Sequence, residues 1–497
     1  MNSFIGNQPA TSFESPKKDR FTGISGTTCS LTYAVSSVSD IIVWVNSVKQ
    51  DFTNYSVSGS TLTLGGTLVS ADIVEVTYVG RTYQSVNPND ASVGANQVQA
   101  SIITGQTALG ATPADTDELL ISDAGTLKRV DYSYLKSSVV NRPNVNPLII
   151  NGDMSVSQRA TTKTSASGYT TVDRFRNFQD DGVVTATQES LTSGNAYING
   201  FANAFKLDVT TADSSVANNH LAGIQYRFEG QDLQVFKKGT ANAEKFTVAF
   251  WIKSTKTGTY ICELEDQDNS RNNSQSYTVS TTNTWEHKVV NFPADTTGVF
   301  GDDNAHSLNI NWFLNAGTDY TSGSLQTAWG SETAANRCVG QVNALDNTSN
   351  NIHITGVQLE VGEYTSSTLP PFQHESYGDN LQRCQRYYFK NNTVSASMPF
   401  ASGVVSGTTN SRAVIFYPQP MRSPPTLDKS SSTDFKVFCG STNVDSTNVA
   451  FYYPNNYQAL LYVDVSSGLT NGQGCVIIDD GGGNAFIEGS AELWLIQ

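Results

Sequence analysis

Residues Asn351–Tyr388 read NIHITGVQLEVGEYTSSTLPPFQHESYGDNLQRCQRYY, and the fold turns on how this stretch divides. Ile352 and Ile354 share one face of an extended chain, whereas Val357, Leu359 and Val361 fall in the opposite phase, which places a bulge at Gly356. Pro370 and Pro371 cannot donate to a ladder and close the strand. Ser376 with Asp379 three residues on reads as a helix cap. Leu381, Cys384 and Tyr388 then recur at helical spacing for one or two turns before aromatic residues restart a strand. The stretch is a joint between two β domains.

The rest of the chain agrees with an all-β, multidomain reading. Its 497 residues suggest about three domains. Only 15% of residues are charged, against a usual share of about 25%, and Ser, Thr, Asn and Gly fill the difference. That composition suits strands joined by exposed turns. The formal net charge is −15, and with no Lys/Arg stripe the chain cannot neutralise a phosphate backbone, so nucleic-acid binding is not expected. The first twenty residues lack the apolar core of a secretory signal and no run approaches a membrane span, so synthesis in a cytoplasm is expected. Six dispersed cysteines, Cys29, Cys262, Cys338, Cys384, Cys439 and Cys475, contain no CxxC pair and read as reduced, structural thiols.

Two further strings accompany the joint: NPLIINGDMSVSQRA at Asn146–Ala160 and YTTVDRF at Tyr169–Phe175. Together with GVQLEVGEYTSSTLPPFQHESYGDNLQRCQRYY they resemble a signature of bacteriophage tail-fibre, or receptor-binding, proteins that carry a carbohydrate-binding-module-like jelly roll. The resemblance covers about residues 140–390. It implies a virion tail appendage with a small N-terminal domain bound to other tail proteins, a homotrimeric assembly and adhesion to a bacterial surface glycan.

Taken in order, residues 1–20 have too little apolar surface to fold alone and read either as a frayed end or as an attachment arm. Residues 21–85 form a small β unit: a strand at Ile41–Val45, a turn at Asn46 and Ser47, two short strands around Gly59 and Ser60, and an alternating strand with Val74, Val76 and Tyr78 on one face. Between 86 and 142 the strand pattern stops. Val98 and Ile102 mark one weak helix and Tyr134–Val139 another, and PADTDELLISDAGTLKRVDYSYL resembles a segment of phage structural proteins. None of these pieces can bury its apolar residues alone, so copies of the chain are expected to wind into a neck, as a trimer in the resembled family.

Residues 143–373 carry the cleanest strands. EKFTVAFWIKS is apolar on both faces and belongs inside a sandwich, and GTYICELEDQ, NTWEHKVVNF and HSLNINWFLN follow at sandwich spacing, giving an eight-strand jelly roll. After the short helical joint at 374–390, residues 391–497 read as a C-terminal β tip. Its strands are expected at Ala413–Tyr417, Ala459–Val465, Gly474–Ile478 and, buried, Ala491–Ile496.

Catalytic motifs are wanting: no GxSxG, HExxH, P-loop or GxGxxG occurs, and His220, His287, His306, His353 and His374 are dispersed. Glycoside hydrolysis needs two carboxyls across the scissile bond, and Glu263 with Glu265, or Asp302 with Asp303, read equally as surface acids. The expectation is therefore a non-enzymatic adhesin, with a structural virion connector or a polysaccharide depolymerase as alternatives. No cofactor is expected beyond a structural calcium, as some jelly-roll modules hold, at Asp266 and Asp268, which read otherwise as a plain acidic loop. Sugar recognition asks for aromatic faces beside amide donors. On HSLNINWFLN, Trp312 shares the core face with Leu308, Ile310 and Leu314, while Asn309 and Asn311 face away. Tyr320 and Trp329 follow in a Gly- and Thr-rich loop. Asn309, Asn311, Tyr320 and Trp329 are the expected glycan contacts, with cover of the sandwich end or a subunit contact as the other role of the two aromatics.

Overall fold

The computed structural model describes residues 16–79, 101–111, 113–138 and 146–493. Over these the protein is all-β with a few short helices. It divides into two compact units, residues 1–112 and 113–497. Residues 1–15 of the expected arm over residues 1–20, the helix position Val98, Val139 and the expected strand end at 494–496 lie outside the described residues; the arm's last residues, Lys18–Arg20, belong to a strand of the first sheet. No described helix is long and apolar enough to cross a membrane.

In the first unit, strands β1 (Lys18–Thr22), β2 (Gly26–Val35), β3 (Ile41–Val45), β4 (Val48–Lys49), β5 (Tyr55–Leu68) and β6 (Ile73–Tyr78) make a sheet ordered β1-β6-β3-β4 and the hairpin β2-β5. Ile41, Val43, Leu62, Val74 and Val76 form its core. Asn46 and Ser47 both take positive φ, 50° and 66°, so a type I′ hairpin turn forms although Ser replaces the usual Gly. The two strands expected around Gly59 are one: Gly59, at φ 58°, stands opposite Val35 beside a register shift, so β5 bends without breaking its ladder. Helix α1 (Ser101–Thr104) is a single turn.

The second unit begins with a hairpin absent from the sequence reading, β7 (Glu118–Asp123) and β8 (Thr126–Asp131), followed by helix α2 (Tyr132–Ser138). Its residues Leu119, Leu120 and Ile121 are contiguous rather than alternating, so neither face carries the signal of a half-buried strand.

The sandwich comprises β9 (Thr162–Lys163), β10 (Phe175–Gln179), β11 (Val183–Ser190), α3 (Gly194–Ile198), β12 (Asn203–Thr211), β13 (Leu221–Glu229), β14 (Phe246–Ser254), β15 (Gly258–Asp266), β16 (Arg271–Val279), β17 (Glu286–Phe292), β18 (His306–Ala316), α4 (Thr318–Thr321), β19 (Gly330–Ser331) and β20 (Asn351–Val361). Two six-stranded antiparallel sheets, β10-β13-β18-β15-β16-β19 and β17-β14-β20-β12-β11-β9, face one another as a jelly-roll β-sandwich. The expected eight strands are therefore too few. Trp312 of one sheet meets Phe250 of the other edge-on at 5.7 Å, a geometry that contributes about 1 kcal/mol beyond area burial. Gly356 is the bulge its neighbours imply: at φ 61° it interrupts the pairing of β20 with β14. Ile352, Ile354, Val357 and Leu359 consequently all enter one core.

Helix α5 (Tyr377–Gln385), capped by Ser376 Oγ accepting from the Asp379 N–H, forms the joint. The strings that carry the family resemblance converge on it. Asn151, in the left-handed region at φ 62°, donates to the Val156 and Asp173 carbonyls, and its own N–H binds Asn380 Oδ1. Arg159 and Arg174 lie 3.6 and 3.5 Å over the rings of Tyr388 and Tyr387, and both pair with Glu492. The signature is a weld between domains.

Beyond the joint lie β21 (Tyr388–Asn392), β22 (Pro399–Val405), β23 (Asn410–Phe416), β24 (Thr426–Lys429), β25 (Phe435–Cys439), β26 (Thr442–Tyr452), β27 (Gln458–Val465), β28 (Gly474–Asp479) and β29 (Phe486–Ser490). Six close into a barrel, β22-β23-β27-β26-β25-β28, and β21-β29-β24 form a small sheet beside it. Of the expected final strand at Ala491–Ile496, the described residues 491–493 are not strand: β29 ends at Ser490, Ala491 donates to the Tyr387 carbonyl, and Glu492 reaches the two arginines. All six cysteines are buried and free.

Candidate functional site

The four expected glycan contacts do not form a groove. Asn309 and Asn311 point away from the sandwich core, as the alternation of β18 requires, yet each is only 1% exposed. In register beside them stand Arg227 and Gln225 on β13 and Glu265 and Glu263 on β15. The Asn311 amide donates to Glu263 (3.0 Å) and Glu265 (2.9 Å), and its oxygen accepts from Gln225 (2.7 Å). Asn309 donates to Glu265 (2.9 Å), and its oxygen meets His306. The asparagines are thus committed to holding buried carboxylates, and the expectation that they meet a sugar is corrected. Alternation identified their face but not the charged neighbours that claim it.

Arg337 organises this layer. Its Nε donates to Glu263 at 3.0 Å, and it also reaches Glu265 (3.4 Å) and Glu332 (2.7 Å). Burial alone would raise the Glu265 pKa, but Arg337 and the two asparagine amides hold it below the usual carboxylate range. Burial, with Arg227 nearby, holds His306 down at about 4, so it is neutral at pH 7. An ionised carboxylate beside a neutral, hydrogen-bonded imidazole in a closed layer is what a structural network needs.

Tyr320 and Trp329 part company. Tyr320 packs on a satellite cluster with Phe313, Ile261 and Cys338, whereas Trp329 lies against the main core. The Trp329 ring is 5.8 Å from that of Phe246, and its Nε1 donates to the Pro293 carbonyl at 2.7 Å. Both close the sandwich surface.

The calcium expectation is also corrected. The Lys238 ammonium, fully buried, pairs with the equally buried Asp266 and with Asp295 at 3.1 Å, so the Asp266 carboxylate is already engaged by a protein cation. Asp268 accepts instead from the Gly301 N–H at 2.9 Å. Among the described residues no three His, Cys, Asp or Glu side chains group as a metal site requires.

An open aromatic surface lies elsewhere, on the barrel wall. Register places Tyr452, Leu460 and Val414 in one row, with Phe416 and Gln458 in the next and Arg412 and Tyr462 on the other side. Phe416 is 71% exposed, Tyr453 83% and Tyr457 65%. Tyr452 stands 6.2 Å from Tyr453 and meets Tyr462 edge-on at 5.8 Å. The β26–β27 turn that carries Tyr453 and Tyr457 is held rigid. Asn455 Oδ1 accepts from the N–H groups of Tyr457 and Gln458, and the Asn456 carbonyl accepts from Met421. Tyr453 itself has φ 52°, an arrangement that costs about 1 kcal/mol or more for a non-glycine residue. The sequence signal was the run FYYPNNY at 451–457, in which three tyrosines flank turn residues.

No protein-family model matches the chain, and no curated protein matches it. Among solved structures it is similar to the enzymatically active domain of bacteriophage CBA120 tailspike protein 4, at 15% identity and a TM-score of 0.24, over 43% of this chain and 21% of that one. The chain thus spans about a fifth of that structure. A family 11 carbohydrate-binding module from Clostridium thermocellum, in complex with a mixed-linked tetrasaccharide, aligns at 10% identity and a TM-score of 0.21 over 42% of this chain and 98% of that one. A xylan-binding domain from CBM 22 aligns at 9% identity and a TM-score of 0.21 over 42% and 99%.

Proposed function

We propose that the protein is a phage tail appendage that adheres, without cleaving bonds, to glycan on a bacterial surface, and that adhesion occurs on the aromatic wall of the C-terminal barrel. The observation that carries this reading is the set of exposed rings at Phe416 of β23, Tyr452 of β26 and Tyr453 and Tyr457 of the turn between β26 and β27, with Gln458 and Arg412 beside them. A pyranose stacks its C–H face on such rings and offers hydroxyls to amide and guanidinium donors. A shallow surface binds one sugar weakly, but linked copies convert the second contact into an intramolecular one, and avidity can exceed single-site affinity by about 10²–10⁴. A homotrimer is proposed on that account, and the exposed Leu120 and Leu127 of the β7–β8 hairpin supply apolar surface for copies to meet.

The test is binding of the purified full chain to an array of bacterial surface polysaccharides. Binding that Tyr453→Ala with Tyr457→Ala abolishes supports the reading. Release of reducing sugar from a bound polysaccharide would overturn its non-enzymatic part, and binding untouched by the double variant would overturn the assigned surface.

A further inference from the structure

We propose that the outer face of the first unit's four-stranded sheet is a docking surface for an acidic protein segment. The outward face of an antiparallel sheet is ordinarily polar, but here Trp44 and Ile42 sit half-buried at its middle. Register sets Trp44 between Lys49 of β4 and Glu75 of β6, and Glu75 beside Arg20 of β1, while Thr77 lies between Ile42 and Lys18. A cavity of about 490 Å³ opens over this face, lined by Lys18, Asp19, Arg20, Trp44, Ser47, Glu75 and Thr77; the Asp19 carboxylate is already engaged, accepting from the Thr32 N–H and the Tyr78 hydroxyl. By register, Lys18, Arg20 and Lys49 share this face with Trp44 and the single acid Glu75, in a chain whose acids outnumber its cations 45 to 30.

Charge complementarity selects the occupant. Arg20 pairs with Glu75 only across 3.5 Å, with both side chains at least half exposed, a contact worth little in water. Both Arg20 and the cations beside it can therefore turn to an incoming carboxylate. Aromatic and arginine side chains are the groups enriched at protein interfaces. A polyphosphate offers charge alone and would leave the half-buried Trp44 and Ile42 without an apolar partner, which a protein segment supplies. Cations on edge strands also guard against sheet-to-sheet aggregation, a role that needs neither Trp44 nor the cavity.

The test uses the full chain and a fluorescein-labelled peptide alternating glutamate with leucine, with the glutamine analogue and a thymidine oligonucleotide of equal length as controls. In low salt the acidic peptide binds, and Lys18→Glu with Arg20→Glu weakens it by about tenfold or more, as reversal of contact charges does. Trp44→Ala weakens it severalfold while the unfolding transition is retained. Equal binding of the glutamine peptide, equal or tighter binding of the oligonucleotide, no binding of the acidic peptide, or indifference to the charge reversals overturns the assignment. Glycan binding is not part of the readout, so the surface stands or falls apart from the adhesive reading.

A second observation stands independently: Cys439 of β25 and Cys475 of β28 are cross-strand partners inside the barrel. Directly opposed residues in an antiparallel pair have Cβ atoms about 4.5–5.5 Å apart, within small adjustment of a disulfide. Cys439 ends its strand before Gly440, so that adjustment is local. We infer that a small oxidant such as hydrogen peroxide joins the pair. One thiolate attacks peroxide and gains a sulfenic oxygen, and the second thiol displaces that oxygen as water, leaving a disulfide and two waters in all. Peroxide treatment of the full chain followed by mass spectrometry of non-reduced peptides should find the 439–475 crosslink and a higher melting temperature, both reversed by dithiothreitol. The Cys475→Ser variant, which removes the pair, should show neither. Over-oxidation of each thiol without a crosslink overturns the inference.

Discussion

Glu492 is fully buried against the guanidinium of Arg174, 318 residues earlier in the chain, and Arg159 closes on the same carboxylate at 3.1 Å. The contact joins the start of the sandwich to the end of the C-terminal domain. Burial opposes the charge on Arg174, but Glu492 and the surrounding tyrosines push its pKa above the ordinary value. Glu492→Gln leaves the buried Arg174 guanidinium without its counter-charge, while Arg159 keeps Asp173 at 3.6 Å, and such a loss costs about 3–5 kcal/mol. Urea unfolding should show that decrease, with the barrel and sandwich transitions separating where the parent protein loses both together.

Asn311 gives the opposite kind of prediction. Its amide serves Glu263 and Glu265 and touches no open surface. Asn311→Ala should lower stability by about 1–3 kcal/mol, the cost of leaving buried acceptors unsatisfied. Polysaccharide binding of the remaining folded protein should match the parent. A selective loss of binding with unchanged unfolding would return the glycan site to the sandwich face.

The sequence made strands legible where one face is apolar, and less so where a face is polar but closed. Gly356, the Ser376 cap and the alternation of β18 were all readable, because each is a local event of backbone phase or hydrogen bonding. What alternation cannot convey is the tertiary neighbour. Arg337 lies far from Glu263 along the chain but donates to it in the fold, and this pairing converts an apparently open asparagine row into a sealed layer. Lys238 and Asp266 are hidden in the same way. The barrel turn is hidden for the reverse reason: three tyrosines among turn residues resemble core aromatics in the sequence, and only the fold exposes them.

Acid should act on the barrel through Asp479. This carboxylate is fully buried and accepts from the N–H groups of Gly481 (2.8 Å), Gly483 (3.0 Å) and Ala485 (3.1 Å) and from the Thr393 hydroxyl (2.9 Å). Burial would raise its pKa, but these donors hold it down at about 2. An unfolded aspartate titrates near about 3.9. The stabilising contribution is therefore present above about pH 4 and lost as pH falls toward 2. Unfolding measured from pH 6 to pH 2.5 should steepen in its loss of stability below pH 4, and Asp479→Asn should flatten that part of the curve while lowering stability at pH 6.

The β7–β8 hairpin predicts the assembly state. Leu120 is 74% exposed and Leu127 71%, on one face, while Leu119 and Ile121 are 44% and 41% exposed on the other. A two-stranded hairpin is marginal alone in water, and apolar groups on both faces call for cover by other copies. Light scattering of the full chain should give the mass of a trimer, and Leu120→Lys with Leu127→Lys should reduce it toward the monomer without altering the melting of the sandwich. A monomeric parent would remove the avidity on which tight adhesion depends.

Tyr453 separates stability from binding most sharply. Its left-handed backbone is strained with a side chain and relaxed without one, so Tyr453→Gly removes a penalty of about 1 kcal/mol while deleting an exposed ring. The asparagine contacts that hold the turn are unaffected, since they run through Asn455 and Asn456. The glycine variant should be as stable as the parent or slightly more so. Its affinity for a bound polysaccharide should fall about tenfold per site, the equivalent of about 1.4 kcal/mol of lost stacking, and Tyr453→Phe should keep most of the affinity because the ring face remains. A glycine variant that binds as well as the parent would show that the turn is strained for some reason other than recognition.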